Sequence, residues 1–443
     1  MVRNKLLNTL IGVSLIAFGT TAAFADDINI YGASAEQTFW TALAPAWLKD
    51  TGDNGAGCPA ANVSTRTSGS NFIAQGTGCS LGNGTITIRV TAKNSLEGIK
   101  AVKEEAMLDS DPCTSTGLAY RTMLSGTGAN TTGCYDVTIG ASDVASSAFA
   151  QQSTGNVNGP QDGARGTNVK TFVAAAEDMT GYDLYRPVVV PFGFFVNNSV
   201  KVRTCVAGTP NAGVQCSADA DCLNTVPLAG DCGTVSQTIT DVSRQMATMI
   251  FSGQAYNWTD FGAGYDTNPI EACIRHAGSG TVATLDWAVM RGNNKWGWNL
   301  VTTEQDGGPY VWFNNGTGTE MNCVNTQTGG IGFADADQAE SCGTGKTYVN
   351  TAAVKYNGFY PRRITIRNGQ YDNFWSAQHL YVKAVDDTPV VQKLMQFAND
   401  PTKITAMGGN PAKYWASQAE MVYWKDDPSA YPGYRGADSP QTP

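Results

Sequence analysis

Arg275-His276-Ala277-Gly278-Ser279-Gly280-Thr281, followed by Val282-Ala283-Thr284-Leu285-Asp286-Trp287, reads as a strand end, a tight turn and a helix opening. The strand is Ala272-Cys273-Ile274-Arg275, and Ser279 stands where a helix N-cap belongs. Two glycines let the backbone approach a ligand closely. The first N–H groups of such a helix have no intrahelical partner, and with the helix dipole they favour an anion. Ser279 and Thr281 add hydroxyls, and Arg275 adds a planar cation able to grip an oxyanion through two N–H groups. On the motif alone two readings stand, an ordinary capped helix after a buried strand and an anion site.

The whole chain narrows the choice. At 443 residues it exceeds one ordinary core, so two lobes are expected. It opens with Arg3 and Lys5, an apolar run from Leu10 to Phe18 and the small-residue site Ala23-Phe24-Ala25. This reads as a signal peptide over 1–25, with a mature start at Asp26 and a periplasmic or secreted product. No later apolar run reaches membrane-spanning length. Without Arg3 and Lys5 the chain carries 27 basic and 38 acidic residues, a net charge of −11. That argues against nucleic acid and acidic membranes as partners, but not against one small anion gripped by local donors.

The eleven cysteines of an exported chain read as disulfide staples. The spacing pairs Cys58 with Cys79, Cys113 with Cys134 and Cys323 with Cys342. Cys205, Cys216, Cys222 and Cys232 fall within an insertion at 203–236, their connectivity open. Cys273 remains as the expected free thiol. The cluster lacks the paired Cys-x-x-Cys of common zinc sites, and no metal or cofactor is implied.

Along the chain, Ile28-Asn29-Ile30-Tyr31 reads as a strand and Trp40, Leu43 and Trp47 as one face of the next helix. Asn94 and Ser95 open a second helix, with Asn94 and Glu97 fitting a capping box. Ile139 to Asp143 reads as a strand ending on an acid. Pro187 to Asn197 is the most apolar stretch of the mature chain, a buried strand able to cross between lobes. Gln378 to Val382 is a second candidate crossing strand, and Thr388-Pro389 caps a C-terminal helix. Strands alternating with helices give an α/β class with mostly parallel pairing.

Taken in order, the segments Gly32-Ala33-Ser34-Ala35, Ser95 before Gly98-Ile99-Lys100, Ile139-Gly140-Ala141-Ser142-Asp143, Phe195-Val196-Asn197, Ile250-Phe251-Ser252-Gly253, Arg275 with Ser279-Gly280-Thr281, and Gly330-Ile331-Gly332-Phe333 resemble the phosphate-binding proteins of high-affinity phosphate ABC transporters. The resemblance implies a two-lobed periplasmic-binding-protein-like clamshell. Lobe one would comprise 26–190 and 377–443, and lobe two 191–376. It implies inorganic phosphate, or a similar oxyanion, held in the cleft, with an ABC transporter permease as a further partner. Carried over by position, the ligand contacts would be Ala35, Glu36, Ser95 and Asp143 from the first lobe, and Arg275, Ser279, Gly280 and Thr281 from the second. Asp143 would accept the proton of hydrogen phosphate and repel bare sulfate. Arg275 would be a cleft residue whose loss removes binding with little loss of stability.

Two positions depart from the pattern. Glu36-Gln37 stands where the family offers a Thr-Phe pair, and Ala277 replaces the acid that commonly neighbours the arginine. Three rival readings remain: the same fold binding molybdate, sulfate or arsenate; a secreted structural or adhesive protein with a lost site; and an enzyme with Ser279 as nucleophile and His276 as base.

Overall fold

The computed structural model describes residues 26–223, 229–291, 297–304, 310–425 and 432–434, so the signal peptide expected over 1–25 lies outside the described residues. Two sheets dominate. The first runs Tyr182–Tyr185, His379–Lys383, Ile139–Ser142, Asp26–Ala33, Thr85–Lys93, Asn71–Thr77, Val63–Ser68. At its centre Asp26–Ala33 is parallel to both neighbours, Thr85–Lys93 and Ile139–Ser142, and the outer pairs are antiparallel.

The helix Gln37–Lys49 buries Trp40, Leu43 and Trp47, the face expected from their spacing. Each such side chain stabilises the fold by roughly 1.5–3 kcal/mol. The helix Ser95–Val102 lies on the first strand and on Ile139–Ser142. Gly98 makes this close approach possible, because a Cβ there would meet the Ala141 carbonyl oxygen at 2.3 Å. The tight seat fixes where the N-terminus of this helix, and therefore Ser95, can lie.

The second sheet runs Asp241–Val242, Thr351–Tyr356, Val188–Asn197, Gly330–Asp335, Glu271–Arg275, Tyr310–Asn314. Around the arginine strand the pairing is again parallel on both sides. Parallel pairing therefore flanks Asp26–Ala33 and Glu271–Arg275 on both sides, and antiparallel pairs make up the rest of both sheets apart from Asp241–Val242, which is parallel to Thr351–Tyr356. Val188–Asn197 is buried along its full length. Its second half pairs within the second sheet, and its first half pairs with Trp375–Ala377 and Ala416–Ser417. Trp375–Ala377 leads directly into His379–Lys383 of the first sheet, so chain crosses between the sheets at both predicted places. Thr388 caps its helix through the Val391 N–H, as the sequence suggested.

Disulfides join Cys58 to Cys79, Cys113 to Cys134, Cys205 to Cys222 and Cys216 to Cys232. The sulfurs of the 203–236 cluster are thus consumed by bonds rather than offered to a metal. The expected Cys323–Cys342 pair does not form. Cys323 bonds Cys273, and Cys342 is the free thiol. The reason is packing: the helix Thr317–Thr326 folds back over the arginine strand and brings the two Cα atoms to 6.0 Å, ordinary disulfide reach. Spacing along the chain could not show that. Among the described residues no helix is long and apolar enough to cross a membrane.

Candidate functional site

In each sheet, parallel strands run to carboxyl ends from which helices start, Asp26–Ala33 in the first and Glu271–Arg275 in the second. Open α/β sheets hold ligands at such points. The two carboxyl ends face each other here. Leu96 N–H donates to the Gly278 carbonyl at 3.0 Å, and Gly280 N–H donates to Ser95 Oγ at 3.1 Å, both across the sheets. Gly280 has to be glycine at this distance, because a Cβ would sit 2.3 Å from Ser95 Oγ and 2.7 Å from Asp143 Cβ.

Arg275 ends its strand with 1% exposure. Its Nη1 donates to Thr317 Oγ1 at 3.0 Å and, at 3.5 Å, to Ser34 Oγ; its Nη2 donates to the Asn315 carbonyl at 2.9 Å. Nε has no hydrogen-bond partner. Burial pulls the guanidinium down from its ordinary value, and Glu320, Asp143 and Asp335 oppose that pull. Glu320 and Asp335 are the acids beside the guanidinium where Ala277 offers none, and burial pushes the Glu320 carboxyl well above the carboxylate range, with Arg275 opposing the rise. Glu320 sits on the helix Thr317–Thr326, fully buried, with Oε1 accepting from Phe333 N–H at 3.2 Å.

Asp143 follows its strand with 2% exposure. Its Oδ2 accepts from Ser95 Oγ at 3.1 Å, and Oδ1 has no partner. Burial pushes its carboxyl up to about 7; Asp335 adds to the rise, while the Ser95 bond and Arg275 oppose it. Glu36 is fully buried. Trp40 Nε1 donates to its Oε2 at 3.0 Å, Gln378 Nε2 donates to the same oxygen, and Oε1 has no partner. Burial, then the nearby Asp143, hold Glu36 well above the carboxylate range. Above this buried centre, a polar cleft of about 450 Å³ is lined by Ser34, Thr38, Asn94, Glu97, Asp109 and Thr317 among others.

Of the expected site residues, the structure brings Ser95, Asp143, Arg275 and Gly280 together and places Glu36 beside Asp143. Ser279 occupies the N-cap position without a side-chain cap bond; it and Thr281 are buried, as is Ala35. The helix they open is a single α turn, Gly280–Thr284, running on as a wider π-type turn over Leu285–Met290. Asn94 caps its helix through Glu97 N–H at 2.9 Å, but Glu97 turns its carboxylate to Asp109 N–H instead of closing a capping box.

The enzyme reading meets a geometric objection. His276 Nδ1 pairs with Ser153 Oγ and Nε2 with the Asn156 carbonyl, each at 2.8 Å, and its ring stacks on Phe313. Burial lowers its pKa to about 4. Both nitrogens are engaged away from Ser279, so this histidine holds the turn in place. Sequence reasoning missed Thr317, Asn315 and Glu320. The signal was present in Asn314-Asn315-Gly316-Thr317, another strand end entering a helix through glycine.

No protein-family model matches the chain, and no curated protein matches it. Solved structures do. A protein assigned as a phosphate ABC transporter substrate-binding protein, with bound phosphate, from Clostridium perfringens is 11% identical. The match covers 88% of this chain and 98% of that one at a TM-score of 0.46. An ABC-type phosphate transport receptor from Vibrio cholerae is 11% identical over 86% of this chain and 98% of that one, with a TM-score of 0.39. A phosphate-binding protein from Stenotrophomonas maltophilia is 12% identical over 87% and 86%, also at 0.39. The chain is thus similar to structures of phosphate ABC transporter substrate-binding proteins, at low identity and with modest superposition.

Proposed function

We propose that this chain is an exported solute-binding protein that captures inorganic phosphate between its two lobes for ABC-type uptake. The lobes are taken as 26–190 with 377–443, and 191–376. The observation that carries the reading is the pairing of opposed strand ends. One presents the buried Arg275 guanidinium, and the other presents Asp143 with Oδ1 free to accept. A buried cation attracts an oxyanion, and a buried acceptor-only carboxylate tolerates that oxyanion only if it brings a proton. Hydrogen phosphate and hydrogen arsenate meet both conditions at neutral pH. Ser95 and Gly280 N–H, now bonded to each other, are the donors that a ligand would take over. Ser279 and Thr281 complete the second lobe's set, and Ala35 and Glu36 the first lobe's. No chemistry on the ligand is proposed.

A second reading, a secreted structural protein with a lost site, is favoured by one guanidinium facing several buried carboxyls. Calorimetric titration of the mature protein with phosphate, arsenate, sulfate and molybdate separates the two. Binding of phosphate and arsenate supports capture, and silence towards all four supports the structural role.

A further inference from the structure

Glu36 is the feature least suited to a plain anion site, and its surroundings show how it fits. It closes the short turn Ser34–Glu36 that follows the first strand. From the next helix Trp40 donates to Oε2; from the crossing segment Gln378 donates to the same atom. Antiparallel register sets His379 against Ser142, so the next step sets Gln378 against Asp143. Parallel register sets Gly32 against Ala141, and two further steps set Ser34 against Asp143. Glu36 and Asp143 therefore lie at adjacent strand ends, each with one oxygen bonded and one without a partner.

The charged groups facing this pair come from the second sheet. They are Arg275 and Asp335; Asp337, in the turn after the Asp335 strand, lies close enough to Asp335 for its own carboxyl to be pushed up by burial and then by that neighbour. The hydrogen bonds to Glu36 come from the neutral Trp40 and Gln378. Two ionised carboxylates cannot share such a buried corner, and burial plus the charge on Asp143 leave the proton on Glu36.

We infer that Glu36 is a specificity-determining residue, a neutral carboxylic acid that donates its Oε1 hydrogen to the bound oxyanion while Asp143 accepts the ligand's own proton. The inference rests on the phosphate reading above. The pair then presents one donor and one acceptor, which matches hydrogen phosphate or hydrogen arsenate. Sulfate meets the Asp143 lone pair and is refused until Asp143 also takes a proton. Selectivity is consequently a function of pH: sulfate binding appears as Asp143 protonates.

Two measurements on the purified mature protein test this. The first needs no ligand. A carboxyl whose folded pKa is raised stabilises the fold below its unfolded pKa, and that contribution is lost as pH rises towards the folded pKa. Melting temperature should fall between pH 5 and 9 in wild type, and fall less in Glu36→Gln, which keeps shape and donor but cannot ionise. The second is calorimetry with inorganic phosphate and with sulfate. Glu36→Gln should hold phosphate within about threefold of wild type, while Glu36→Leu, with no donor, should lose about tenfold or more. Sulfate affinity of wild type should rise as pH falls from 9 towards 7, by at most about tenfold per pH unit, the limit for uptake of one proton, and level off below 7, where Asp143 is already protonated. Normal phosphate binding with identical melting profiles for wild type and Glu36→Gln overturns the inference and leaves the phosphate reading standing. Loss of phosphate binding in a folded Glu36→Gln overturns it too, since an ionised Glu36 would then be required. A melting difference with no oxyanion bound by wild type removes the phosphate reading and the donor role together.

Discussion

The two strand ends that meet at the site share one construction and carry opposite chemistry. Asp26–Ala33 and Glu271–Arg275 are each flanked by parallel neighbours, and the loop beyond each meets a helix N-terminus. Around the first lie the carboxyls of Glu36 and Asp143 and the Ser95 hydroxyl; the second ends on a guanidinium braced by Thr317 and Asn315. The difference teaches that the fold supplies a location and a few backbone donors, while, on the reading proposed above, the side chains at the rims would choose the ligand. A single buried cation held between acids on both sides also makes the site part of the stability of the fold.

Breaking the cationic end should have the largest effect. Arg275→Ala should abolish oxyanion binding and, contrary to the sequence-based expectation, destabilise the ligand-free protein by about 3–5 kcal/mol. That is the range for removing one partner of a buried charge cluster. The guanidinium is fully enclosed, and its loss leaves Asp335 and Asp143 without a counter-charge and Glu320 without its cationic neighbour. Denaturant unfolding reads this directly, and an unchanged midpoint would mean that the acids are already neutralised by protons.

The next effect concerns what braces that end. Cys323→Ser opens the bond to Cys273, two residues before Arg275, and should cost about 2–4 kcal/mol; Cys342→Ser should be nearly neutral. Alkylation of native protein should label Cys342 alone. Label on Cys273 would restore the spacing-based pairing.

The smallest pair contrasts two serines, one from each end. Ser95→Ala removes the hydroxyl that receives Gly280 N–H and Asp143 N–H and donates to Asp143, so about 1–2 kcal/mol of stability should go. Ser279→Ala removes a hydroxyl that makes no cap bond, so thermal unfolding should move by only a few tenths of a kcal/mol. Equal losses would show that the two rims are not as different as their hydrogen bonds indicate.

What was legible in the sequence was periodic or punctuated. The buried run Val188–Asn197, the Trp40–Leu43–Trp47 face and the caps at Asn94 and Thr388 each declare themselves by local pattern, and the structure has all four. The strand-turn-helix at Arg275 was legible for the same reason. What was not legible depends on elements folding back on one another. Glu320 reaches the arginine's field because its helix lies over the arginine strand, and the same contact redirected Cys323 from Cys342 to Cys273. Glu36 stood in the sequence only as a departure from the Thr-Phe pattern, because the partner that holds its carboxyl inward, Gln378, lies hundreds of positions later.

The central claim is that Asp143 makes the centre selective for an oxyanion that carries a proton. Calorimetric titration of phosphate and sulfate into wild type and Asp143→Asn at pH 8 tests it most directly. The account predicts that wild type binds phosphate and not sulfate, and that the variant gains measurable sulfate binding because a bare oxygen now meets an N–H. Wild type binding sulfate as well as phosphate at that pH would contradict it.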